Sequence, residues 1–179
     1  MAVHDKEIVH ALKHSPEQGF RLLMSAYKEP IYWHIRRLVV SHADAQDVTQ
    51  ETFVRVFRCL DQYQEEHSLA AWIYRIATRE ALRLLERRQQ EQVSLEGAEA
   101  QVASLAADEY FDYTDLEAVK LQQAIRSLAS KQQATFNLRY YDELGYEEIA
   151  SITGSSVAGA KMNYHLAKEK IIEYMHSHD

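Results

Sequence analysis

Residues 146–165 read Tyr146-Glu147-Glu148-Ile149-Ala150-Ser151-Ile152-Thr153-Gly154-Ser155-Ser156-Val157-Ala158-Gly159-Ala160-Lys161-Met162-Asn163-Tyr164-His165. A short apolar-patterned segment ends at Thr153-Gly154-Ser155. A second segment then carries Val157, Ala160, Tyr164, Ala167, Ile171 and Tyr174 at alternating spacings of three and four. That spacing is the period of a helix with one buried face. Two helices joined by a short turn with glycine make a helix-turn-helix. With the apolar stripe inward, Ser156, Ala158, Gly159, Met162 and His165 fall on or beside the outward face, Lys161 and Asn163 flank it, and Ser155 lies in the turn. Small residues at the start of a helix let it sit deep in a major groove, where base edges distinguish sequence. Lys161, Lys168 and Lys170 can neutralise phosphates. A plain αα-hairpin uses the same turn, so this segment by itself leaves both readings open.

Upstream of the hairpin, Leu121, Ile125 and Leu128 form one helical stripe. Ser130 with Gln133 reads as a capping box opening a helix through Tyr141. From Gln89 to about Asp115 the periodicity fails: alanines and acids alternate without a firm apolar face, which reads as a linker. Before it, punctuation and periodicity return. Ser15-Pro16-Glu17-Gln18 supplies an N-cap, a proline at the first helical position and a capping-box glutamine. Phe20, Leu23, Met24 and Tyr27 follow, Pro30 is expected to break that helix, and Ile31, Ile35, Leu38 and Val39 mark the next. Ser41, with Asp44 three residues on, opens a helix with the expected buried stripe Phe53, Val56, Phe57 and Leu60. Asp61 to His67 reads as a loop, and Ser68 caps a long helix bearing Leu69, Trp72, Ile73, Ile76, Leu84 and Leu85. The reading is an all-α chain of two small helical domains, residues 1–88 and 118–179, joined by an acidic linker over 89–117.

Composition agrees. The 179 residues are 46% hydrophobic, enough for a packed core, with only five glycines and two prolines, lean for a turn-rich β fold. The single cysteine, Cys59, can form no internal disulfide and suits a reducing compartment. No apolar run of membrane-spanning length occurs, and the N-terminus lacks the order of a secretion signal, so a cytoplasmic protein without membrane insertion is expected. The net charge of −7 hides its distribution. Residues 1–88 carry 13 basic and 12 acidic side chains, residues 89–118 eight acids and no base, and residues 119–179 seven of each. The acidic surplus is confined to the linker.

Arg75, Arg79, Arg83 and Arg87 recur every four residues, with Arg88 beside the last. Each step drifts about 40°, so the four share one broad helical face, a basic rail that Glu80 and Glu86 cannot neutralise. Tyr63 in the preceding loop, and Trp72 and Tyr74 at the helix start, add aromatic rings suited to stacking on unpaired bases. Trp72 also lies on the apolar stripe, where it reads equally as core. Asp44, Asp47 and Glu51 favour the dipole at the start of their helix and form an acidic face able to dock a basic protein surface. No phosphate loop, nucleophile elbow or zinc-protease motif occurs, so neither an enzyme nor a cofactor is expected. His10 and His14 share a face but lack a third ligand and read as surface histidines rather than a metal site. Cys59 reads as a small core residue.

Two motifs together resemble a known family. Asp44-Ala45-Gln46-Asp47-Val48-Thr49-Gln50-Glu51-Thr52-Phe53, followed by Ala71-Trp72-Ile73-Tyr74-Arg75-Ile76-Ala77, is similar to the promoter-melting domain of bacterial sigma factors. The segment from Tyr140 through Tyr146-Glu147-Glu148-Ile149-Ala150 to Ser156-Val157 and Lys161 resembles their second DNA-binding domain. Two domains in this order, in a chain of this length, resemble the extracytoplasmic-function (ECF) subfamily. The resemblance implies a transcription initiation factor whose partners are core RNA polymerase and promoter DNA. It places polymerase docking at Asp44, Asp47, Gln50 and Glu51. It places minus-ten reading and melting at Tyr63, Trp72, Arg75, Thr78, Arg79, Arg83 and Arg87. It places minus-thirty-five reading at Ser155, Ser156, Ala158, Gly159, Lys161, Met162, Asn163 and His165. Many members are held inactive by an anti-sigma protein, which makes one an expected partner. Arg79 and Arg83 stand where many relatives have asparagine and aspartate, which implies a different minus-ten preference. The alternative from another class is a helical, ligand-responsive DNA-binding repressor.

Overall fold

The computed structural model describes residues 3–39, 41–92 and 115–177. Every regular element among them is helical: α1 (Val3–His14), α2 (Pro16–Leu38), α3 (His42–Arg58), a 3-10 turn (Leu60–Gln62), α4 (Leu69–Gln92), α5 (Leu116–Arg126), α6 (Ser130–Tyr140), α7 (Tyr146–Thr153) and α8 (Val157–Ser177). The all-α expectation holds.

Helix α1 lies along α2, and α2 packs on both α3 and α4. The α1–α2 approach is close: a Cβ at Gly19 would lie 2.4 Å from the Leu12 backbone nitrogen, so only glycine fits without displacement. Tyr27 of α2 donates its hydroxyl to Asp5 of α1 at 2.7 Å, satisfying both groups where they are buried. Ser41 caps α3 by accepting from the Asp44 amide at 3.0 Å, and Ser68 caps α4 by accepting from the Ala71 amide at 3.2 Å.

Several local expectations are corrected. Pro30 does not end α2, which runs unbroken to Leu38. Leu23, Tyr27, Ile31 and Ile35 form one continuous buried stripe on either side of it. Pro30 itself faces solvent, where water can take the carbonyl that its missing N–H leaves free. Ser15 precedes α2 in an extended conformation with proline next, but its hydroxyl makes no cap. The N-cap of α6 is Ala129 rather than Ser130. Gln133 leaves the expected capping box and donates to the Arg37 carbonyl at 3.2 Å. Helix also replaces linker at its margins, since α4 extends to Gln92 and α5 begins at Leu116 under an Asp115 cap. The rest of the expected linker lies outside the described residues.

The two halves touch. Ala134, Leu138, Leu144, Ile149, Ile152 and Ala160 join the same apolar cluster as Ile31, Ile35, Leu69 and Ile73. A second cluster around Ala124, Ile125, Leu128, Phe136, Ala167 and Ile171 holds α5, α6 and α8 together. The contact is completed by a polar knot on Asp142, whose side chain is 7% exposed. Tyr74 donates to it at 3.1 Å, His34 Nδ1 lies 3.2 Å away and Arg37 3.6 Å away. The Arg37 guanidinium also sits 4.4 Å over the Tyr141 ring.

Candidate functional site

Helix α4 carries the rail. Its apolar side buries Leu69, Ile73, Ala77 and Ala81, which turns Arg75, Arg79 and Arg83 toward a pocket of about 460 Å³ between α4, the end of α3 and the 61–68 loop. Tyr63 and Trp72 line the same pocket, with ring centroids 5.2 Å apart. Tyr63 is held by a hydrogen bond from its hydroxyl to the His67 carbonyl at 2.8 Å, which ties the loop to itself. The loop is also tied to α1 by an ion pair between Lys13 and Glu65. Five of the seven residues expected at the minus-ten site thus line one pocket. Thr78 does not. It is fully buried on the opposite side of α4, its hydroxyl 2.8 Å from His34 Nε2. Arg87 lies beyond the pocket on the exposed end of α4.

The pocket is electropositive and partly unsatisfied. Partial desolvation, then the neighbouring Arg75 and Arg83 guanidiniums, hold the Arg79 guanidinium below its ordinary pKa. Arg75 Nε is buried without a hydrogen-bond partner among the described residues. Like charges packed side by side on one helix repel, and an anion laid across them relieves that cost. Arg55 of α3 and Cys59 just past its end, which the sequence reading left out, also face the pocket, together with Gln62, Gln64 and His67 of the 61–68 segment, to which the resemblance gives the minus-ten role. Cys59 is half-buried at this wall, not a core residue. Only the fold brings α3 to this place; no spacing in the chain signals it.

On the other side of α3 lies a groove of about 1650 Å³ against α2. Asp47, Gln50 and Glu51 line it and are exposed. Asp44 does not line it: its carboxylate takes Arg88 at 2.6 Å and ties the start of α3 to the end of α4. Phe57, expected in the core, is 54% exposed in this groove, edge-on to Phe20 at 5.1 Å, with Val54 beside it. Phe57 is four residues past Phe53, which is buried, but a four-residue step turns about 40° around a helix, and that rotation carries Phe57 out from under its neighbours. An acidic rim around exposed aromatic surface suits a protein partner.

The hairpin has its expected geometry. Gly154 takes φ +69°, and the Ser155 amide donates to the Ala150 carbonyl at 3.0 Å, closing α7. Ser156 caps α8 by accepting from the Gly159 amide at 2.9 Å. Ala158, Lys161, Met162 and His165 are exposed on α8, with Gly159 and Asn163 half-buried. Ser155 is half-buried and shares a hydroxyl hydrogen bond with Thr153 at 3.0 Å. Val157, expected inward, is 39% exposed, so the buried stripe begins at Ala160. Lys161 lies 5.8 Å from the centroid of the Tyr146 ring, which Arg139 also approaches, at 4.7 Å. Among the described residues no cluster of three His, Cys, Asp or Glu side chains could hold a metal ion, and no helix is long and apolar enough to cross a membrane. His10 and His14 lie against one another with ring centroids 4.4 Å apart and planes tilted by 54°.

Comparison with known proteins extends these observations. Residues 23–91 match the family model for sigma-70 region 2, and residues 118–171 match that for sigma-70 region 4. The chain is 27% identical to the RNA polymerase sigma-H factor of Pseudomonas aeruginosa, covering 93% of this chain and 91% of that one. It is 25% identical to the ECF RNA polymerase sigma factor SigW of Bacillus subtilis, covering 93% and 94%. In fold it resembles CnrH, solved in complex with the cytosolic domain of CnrY, with a TM-score of 0.75 and 16% identity over 98% of this chain and 99% of that one. It also resembles RpoE of Bartonella quintana, solved with the anti-sigma factor NepR, with a TM-score of 0.72 and 19% identity over 87% and 96%.

Proposed function

The chain belongs to the sigma-70 family as an ECF sigma factor, and from that premise we propose how its surfaces divide the work of directing RNA polymerase to promoters. The pocket bounded by Tyr63, Trp72, Arg75, Arg79 and Arg83 receives unpaired bases of the minus-ten element, and the rail beyond it, through Arg87, follows the backbone. The single observation that carries this is the pair of packed rings at the floor of a pocket walled by mutually repelling guanidiniums. Aromatic rings stack on bases and arginines neutralise phosphates, and one pocket offers both. Thr78, buried against His34, acts there only by holding α4 in place. Asp47, Gln50 and Glu51, with Phe57 and Val54 between the acids, dock core polymerase. Asp44 supports that surface through Arg88. Ser156, Ala158, Gly159, Lys161, Met162, Asn163 and His165 on α8, with Ser155 at the turn, read the minus-thirty-five element in the major groove.

Residues 1–88, 89–117 and 118–179 act as promoter-melting domain, linker and second DNA-binding domain. The chain makes and breaks no bonds of its own, works in the cytoplasm with polymerase, and is a candidate for anti-sigma control like the complexed sigma factors that share its fold. Family membership leaves the ligand-responsive repressor without support.

The test is reconstitution with bacterial core polymerase. Arg79→Ala is expected to keep co-elution with core while weakening open-complex formation by about 1–3 kcal/mol, the range for one lost nucleic-acid contact. Combined Asp47→Lys and Glu51→Lys is expected to do the reverse, abolishing co-elution with unchanged circular dichroism. Loss of core binding in the Arg79 variant would sink the division of labour.

A further inference from the structure

Among the described residues, four guanidiniums, those of Arg55, Arg75, Arg79 and Arg83, face the pocket with a single carboxylate, that of Glu80. Glu80 is 8% exposed on α4, an unusual place for an acid unless it is paired. One of its oxygens, Oε1, takes both Arg55 Nε at 2.7 Å and Arg83 Nη1 at 2.9 Å. Arg55 belongs to α3 and also reaches Glu51, on the docking side of that helix, at 3.9 Å. Glu51, Arg55, Glu80 and Arg83 therefore form a continuous line of alternating charge from the docking surface to the rail. Arg55 and Arg83 are each about half-exposed, so both heads can also reach solvent or a ligand.

We propose that Glu80 is a positioning residue that stands in for a backbone phosphate in the free chain, clamping Arg55 and Arg83 at the pocket wall until a nucleic-acid phosphate takes them. This rests on the reading of the rail as a nucleic-acid surface. A carboxylate oxygen shared by two arginines offers the same charge-assisted hydrogen bonds that a phosphate oxygen does. It also withholds binding from random sequence. With Glu80 present the pocket carries four positive groups against one negative; a neutral side chain there would leave all four unopposed, and non-specific affinity for any single strand would rise. Glu80 thus trades affinity for selectivity, and Arg55 becomes a second nucleic-acid contact contributed by the docking helix.

The experiment compares wild type, Glu80→Gln, Arg83→Gln and the double variant, all full length, for binding of a fluorescent oligothymidine across a salt series. Glu80→Gln preserves shape, and circular dichroism checks the fold. It is expected to bind about two- to fivefold tighter at low salt, the span of a half-exposed ion pair. Its slope of log affinity against log salt is expected to steepen by about 0.7, one additional phosphate on single-stranded nucleic acid. Adding Arg83→Gln is expected to return that slope to the wild-type value. A merely structural Glu80 would give weaker binding and an unchanged or shallower slope, and either result in a folded variant overturns the proposal. If Arg83→Gln, and Arg79→Ala measured beside it in the same series, leave oligothymidine binding at the wild-type level, the rail itself is not a nucleic-acid surface. The proposal then falls together with that reading.

Discussion

Tyr27 and Tyr74 each donate a buried hydroxyl to a carboxylate, Asp5 and Asp142 respectively. Burial first, then the partner's charge and hydrogen bond, push both hydroxyls above their ordinary value of 10.0. The folded chain holds these protons where the unfolded chain releases them, so the stability they contribute is whole below pH 10 and falls as pH rises beyond it. The fall approaches about 1.4 kcal/mol per pH unit for each group. Urea denaturation followed from pH 8 to 11 is expected to show this decline, and Tyr74→Phe to flatten it. A Tyr74→Phe variant with the wild-type slope would show that Tyr74 contributes nothing to the decline. Periodicity alone marks Tyr27 as core. Nothing in the chain announces that Tyr74 meets a carboxylate 68 positions away, because such a pair exists only once two distant segments are packed.

Helices were legible where local chemistry is self-sufficient. Ser41, Ser68 and Gly154 act at their own turns, so their neighbours in sequence are their partners. Ser130 and Pro30 misled because tertiary packing outweighs a cap or a break: Gln133 finds the Arg37 carbonyl across the interface, and a stripe buried on both sides of Pro30 keeps α2 helical through it. The hairpin turn offers a direct measurement of the local term. Gly154 has φ +69° with nothing within 4 Å of an added Cβ, so any penalty there is conformational rather than steric. Gly154→Ala is expected to destabilise the chain by about 1 kcal/mol, and Gly154→Asn by less, since asparagine tolerates the left-handed region. Equal costs for the two would show that the turn is held by other contacts.

Taken whole, the molecule is closed, with the sigma-70 region 4 half seated on the region 2 half. Asp142→Ala leaves His34 and Arg37 without their carboxylate, at a cost of about 2 kcal/mol, below the full value for a buried pair because Arg37 is one-quarter exposed. X-ray scattering is expected to show a larger radius of gyration for this variant, with helix content unchanged; an unaltered radius would mean that the apolar contact alone holds the halves together. The helices, the caps at Ser41 and Ser68, the hairpin and the arginine rail follow from residue type and spacing, since each depends on interactions within a few turns of chain. The partition of α3 into a docking groove and a pocket wall, the burial of Thr78, the clamp on Glu80 and the closure on Asp142 depend on which helices meet. They join residues far apart in the chain, and only three-dimensional packing decides those pairings.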